Sequence, residues 1–80
     1  MKLKDLPDSV DVTKIKVRLS DALYNDSSLR QYGIKAKDVY LVGPTMGDWF
    51  VKTNLNSSKI YPMFRDSISW DELKELEVVE

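Results

Sequence analysis

The sequence predicts a mainly β fold of antiparallel strands with one short helix near the C-terminus. Three observations carry this expectation. Lys14 to Leu19 alternates between charged and apolar residues. From Asp38 to Phe64 three β-branched and aromatic runs are separated by two turn-rich breaks. A helix-capping pattern followed by helical leucine spacing begins at Ser69.

In chain order, residues 1–13 scatter Leu3, Leu6, Val10 and Val12 among charges, and Pro7 interrupts any helix, so an irregular, fraying lead-in is expected. The next segment places Ile15, Val17 and Leu19 on one face and Lys14, Lys16 and Arg18 on the other, the period of a half-buried strand. From Ser20 to Lys37 the alternation stops. Asn25 to Ser28 is a turn cluster, Gly33 marks a tight bend, and Leu29, Tyr32 and Ile34 are apolar anchors. A loop this long is expected either to bind something or to contain a short helix of its own.

Val39 to Val42 then reads as a strand stopped by Gly43-Pro44, and Trp49 to Thr53 as its hairpin partner. Asn54 to Ser58 forms the next turn. Ile60 to Phe64 makes the third strand of a meander, and Pro62, lacking an amide donor, places an end, a bulge or an edge there. Ser69 and Glu72 have the spacing of a capping box, Asp71 and Glu72 suit a helix N-terminus, and Trp70, Leu73 and Leu76 share helical spacing. Glu77 to Glu80 is short and extended, suited to pairing with the first strand.

Eighty residues make one domain, 1–80, with a small core. The chain has no cysteine and no histidine, which removes thiolate metal sites, disulfides, the usual general base and the usual neutral-pH switch. No signal-like or membrane-length apolar stretch is present, so a cytoplasmic location is expected. Net charge is −1 but uneven: residues 1–65 carry +4 and residues 66–80 carry −5. That division predicts an acidic end lying against a basic body.

The order strand, long loop, meander, short helix, strand is accompanied by local words. Ala22-Leu23-Tyr24-Asn25-Asp26 resembles the ALYDY segment of SH3 domains, and Ile34 to Asp38 is similar to the entry of their second strand. Gly47-Asp48-Trp49-Phe50 is similar to their G-D-W-W, and Ile60-Tyr61-Pro62 to the residues before their last short helix. The resemblance covers about residues 20–64 and implies an SH3-like five-stranded antiparallel barrel with one short C-terminal helix. It also implies an aromatic groove for a proline-rich peptide, carried over here to Tyr24, Trp49 and Pro62. Several features depart from the family: the ALYDY-like word follows a strand instead of belonging to it, and the loop is not acidic. The second aromatic after the proline is displaced to Met63-Phe64, and a dozen residues separate Pro62 from the last strand.

No phosphate-binding loop, dinucleotide fingerprint or zinc spacing appears, and the acids cluster in the C-terminal helix and tail, so neither an enzyme nor a cofactor or metal is expected. The expected function is protein interaction, as a module or an inhibitor-type accessory protein, through a face made by Tyr24, Tyr32, Trp49, Tyr61 and Pro62. The rival expectation is nucleic-acid binding through Lys14, Lys16, Arg18, Lys35 and Lys37, with Lys52 added and Tyr24, Tyr40 or Trp49 for stacking. Trp49 shares a face with Val51 and is therefore either core or platform. Trp70 is expected to plug the helix onto the sheet. Monomer and homodimer are both compatible with the sequence.

Overall fold

A computed structural model describes residues 1–45, 48–63 and 68–79. Five antiparallel strands form one sheet: β1 (Lys16–Arg18), β2 (Asp38–Thr45), β3 (Asp48–Lys52), β4 (Tyr61–Pro62) and β5 (Glu77–Val78), in the order β4-β3-β2-β1-β5. Two short helices, α1 (Asp21–Asp26) and α2 (Trp70–Leu73), and 3-10 turns at Leu3–Asp5 and Val12–Lys14 complete the described fold.

The register explains the alternation read in the sequence. Val17 is opposite Val39 and Val78, Leu41 opposite Val51, and Val51 opposite Tyr61, so these side chains share the inner face. Val17, Val39 and Val51 are completely buried there. Leu3, Leu19, Leu23, Leu29, Leu73 and Leu76, from the turns and helices, cover that face and are buried with it. Each buried leucine contributes about 1.5–3 kcal/mol of apolar transfer, so the coverings are as much core as the strands.

Four expectations are corrected. The five strands do not close into a barrel. Among the described residues β4 and β5 end the sheet, and single bridges from Ser27 to Met63 and from Lys2 to Glu77 cover its margins. The expectation of a single helix gives way to two, because the segment read as a long loop contains α1. Ser20 caps it, its hydroxyl accepting from the Leu23 amide at 3.2 Å, and Leu23 turns into the core.

The lead-in is also more ordered than expected. The Leu3 and Lys4 amides donate to the carbonyls of Leu76 and Lys74 at 3.0 and 2.9 Å, and the Val78 amide donates to that of Met1 at 2.7 Å. Leu3 is buried, which a periodicity reading interrupted by Pro7 undervalued.

Gly43-Pro44 does not stop β2. The strand runs on to Thr45 through a register shift between Val42 and Thr45, where a residue without an amide donor is tolerated. Pro62 does lie in an edge strand, and β5 does pair with β1. The hairpin tip at Met46-Gly47, the link Phe64 to Ser67, and Glu80 lie outside the described residues.

Candidate functional site

Trp49 follows from strand alternation: two residues before buried Val51, it faces inward, but at the start of β3 it is only half-buried. Trp70 opens α2, whose Leu73 is buried and whose Ser69 N-cap precedes it without a side-chain capping bond. That placement lays Trp70 over Trp49, with ring centroids 6.2 Å apart and planes 22° from parallel. The expected plug therefore exists as a stacked pair, with Trp70 still 40% exposed.

The pair forms one side of an open groove of about 480 Å³. The other side is the N-terminal segment, through Leu3, Lys4, Leu6, Pro7, Asp8, Val10 and Val12, with Lys74 beside Trp70. A groove of this size, mostly apolar with a few charges, suits one or two apolar side chains of a ligand held by polar contacts along the edge. Both lysines are held by carboxylates: Lys4 Nζ lies 3.0 Å from Glu75 Oε1 and Lys74 Nζ 3.2 Å from Asp71 Oδ1. Lys2 Nζ reaches the other oxygen of Glu75 at 3.1 Å. Hydrogen bonds from Lys4 and then Lys2 hold the Glu75 carboxyl below its ordinary range. The acidic end thus lies against basic residues, as the charge division predicts, but these belong to the N-terminus.

The five aromatic-face candidates are not brought together. Tyr32, 55% exposed, meets buried Tyr61 edge-on at 5.2 Å, and Lys59 Nζ lies 4.9 and 5.4 Å from their ring centroids. Tyr24 is half-buried in α1 and donates its hydroxyl to the Ile34 carbonyl at 2.7 Å, an arrangement that anchors the following turn. Pro62 is opposite Phe50 on the outer face of the sheet. Among the described residues no ring contact joins Trp49 to a tyrosine.

The basic candidates are also divided. Arg18 is bound to Asp38 at 2.9 Å and Lys37 to Asp21, and these bonds hold both carboxyls below their ordinary range. Lys35 is exposed. Lys14 and Lys16 line a second cleft with Tyr40.

Sequence reasoning missed the groove because one wall was read as a fraying lead-in. The available signal was the apolar series Leu3, Leu6, Val10, Val12. Among the described residues no cluster of three or more metal-ligating side chains occurs, and no helix is long and apolar enough to cross a membrane. Comparison with protein-family models, curated proteins and solved structures gives no match to this chain.

Proposed function

We propose that this chain is a small cytoplasmic, non-enzymatic interaction module of SH3-like type with an incompletely closed barrel. It docks an apolar segment of a partner protein against Trp49 and Trp70, either to recruit that partner or, as an inhibitor-type accessory protein, to occlude it. The observation carrying this reading is the stacked, partly exposed indole pair facing an aliphatic wall. Tryptophan at a pocket wall presents large contact area at little entropic cost, which is why such residues dominate binding energy where partners meet. Tyr32 and Lys59, exposed over the buried Tyr61, form a separate patch suited to a flanking contact.

The test uses the chain's two tryptophans, both of which line the groove, so emission excited selectively at tryptophan, and not at the four tyrosines, reports on that groove. Peptides selected from a random library on the immobilised protein should shift this emission on binding and hold their affinity as salt is raised. Trp70→Ala should weaken them at least tenfold. Selected peptides that bind Trp70→Ala and Trp49→Phe as tightly as wild type, with no emission change, would remove the groove from consideration.

A further inference from the structure

The sheet's outer face carries a second surface, distinct from the indole groove. Strand register places Lys16, Tyr40 and Lys52 in one cross-strand row, with Tyr40 between the two cations. The adjoining row on one side is Val42, Phe50 and Pro62, apolar and half-buried. The row on the other side is Asp38, Arg18 and Glu77, net acidic.

At the β1 end the Tyr40 row runs into a cleft of about 390 Å³ whose lining includes Lys14, Lys16, Tyr40 and Ile15 and, among the described residues, no carboxylate. Charge pairing separates the cations of this cleft from those at the chain ends and beside Asp38, Asp21 and Asp71. Lys2, Lys4, Arg18, Lys37 and Lys74 all sit in ion pairs. Among the described residues the Lys14 and Lys16 ammonium groups have no such partner. Among the described residues Lys52 donates to the neutral Leu55 carbonyl at 3.2 Å and to no carboxylate.

We infer that this cleft and the row leading from it bind single-stranded nucleic acid. Lys14, Lys16 and Lys52 take phosphates, while Tyr40, and Phe50 one row away, take the faces of bases. Cations alternating with aromatic rings on an open sheet face meet both chemistries of a single strand: a charge in every nucleotide and a flat ring beside it. An acidic peptide uses the lysines but leaves Tyr40 without a role. The acidic row containing Asp38 and Glu77 repels phosphate, so the strand runs from the cleft across Tyr40 towards Lys52 and the apolar row. Of the basic residues that the sequence offered for nucleic acid, Lys14, Lys16 and Lys52 belong to this site, and Arg18, Lys35 and Lys37 do not.

The test is fluorescence anisotropy of labelled oligo-dT and oligo-U of about 15 nucleotides, long enough for one small domain, with wild-type protein at low salt. Binding is expected, and neutralisation of two to three phosphates gives a log K against log salt slope of roughly −1.4 to −2. The Lys14→Glu/Lys16→Glu double variant should abolish it. Tyr40→Leu should weaken it roughly five- to hundredfold through lost stacking, whereas Tyr40→Phe retains it. Lys59→Glu, the same reversal at a single lysine beside Tyr32, should leave it unchanged. Emission from Trp49 and Trp70 verifies that each variant is folded.

Three results would overturn the inference: no binding of either oligonucleotide at low salt, wild-type affinity in folded Tyr40→Leu, or displacement by poly-glutamate as effective as by unlabelled oligonucleotide. The last would assign the cleft to acidic peptides. None of them bears on the indole groove, whose test is separate.

Discussion

The indole of Trp70, at the start of α2, lies on that of Trp49 in β3, with 6.2 Å between centroids and 22° between planes. This contact joins a four-residue helix, too short to be stable by itself, to the sheet. Trp70→Ala should lower stability by roughly 1–2 kcal/mol and erase the far-ultraviolet circular dichroism exciton couplet of two close indoles. A double-mutant cycle with Trp49→Ala should return a coupling of about 0.5–1.5 kcal/mol. Additive effects in urea denaturation would mean that the rings only share a neighbourhood.

Glu75 ties the two chain ends together through Lys2 and Lys4. Its carboxyl is depressed in the folded protein from an ordinary value of 4.5. The stabilisation is therefore complete above that value and is lost as pH falls through the depressed folded one. Asp21, Asp38 and Asp11, lowered by Lys37, Arg18 and the Thr13 hydroxyl, act in the same direction. At the alkaline end Lys2, raised by Glu75, contributes below its ordinary 10.5 and loses that contribution as pH rises through the folded value. Urea midpoints measured from pH 6 down to acid should fall less steeply for Glu75→Gln than for wild type; equal slopes would show that the clamp carries no linkage.

The middle of the groove's N-terminal wall is held differently from its ends. The backbone hydrogen bonds of residues 5–11 stay within the local segment, as from Leu6 to Leu3 and from Val10 to Pro7, whereas Leu3 and Lys4 bond to the C-terminal region. Segments without long-range backbone bonds open locally at low cost. Amide hydrogen exchange should therefore release residues 5–11 well before Val17, Val39 and Val51. Protection equal to these core valines would make the wall part of the cooperative core.

Adjacent serines should respond oppositely. Ser27 Oγ donates to the Tyr24 carbonyl at 2.7 Å and accepts from the Leu29 amide at 3.3 Å, while the fully buried Ser28 Oγ has no partner among the described residues. Ser27→Ala should cost about 1–2 kcal/mol, and Ser28→Ala should be neutral or slightly stabilising. Thermal denaturation of the two variants decides, and a Ser28→Ala loss as large as that of Ser27→Ala would contradict the assignment.

Gly33 adopts φ 75°, and an added Cβ would meet no atom within 4 Å. Gly33→Ala should therefore cost only the backbone penalty of about 1–2 kcal/mol, without displacing neighbours. Unchanged stability would show that the turn relaxes to negative φ.

The sequence by itself determined which residues share a face, because a side-chain period of two puts Ile15, Val17 and Leu19 together and Trp49 with Val51 opposite Phe50. Since both faces of Val39 to Val42 and of Trp49 to Val51 are apolar, only the tertiary structure decided that Val39, Leu41, Val51 and Tyr61 turn inward. Through its missing amide the sequence limited Pro62 to a strand end, a bulge or an edge, of which the structure takes the edge, and it marked the helical turn after Ser69. Six residues give too little periodicity to place α1, so the Ser20 to Lys37 segment left a binding loop and a short helix both open, and only the structure shows the helix, capped by Ser20. Only the tertiary structure decided which aromatics meet. Trp49 and Trp70 belong to elements far apart in sequence and are joined by the folding of α2 onto β3, while Tyr24 and Tyr32, near each other in the chain, are turned to different partners. It also decided which lysines remain unpaired beside Tyr40, since an ion pair depends on the strand register and the turns that bring a carboxylate within reach.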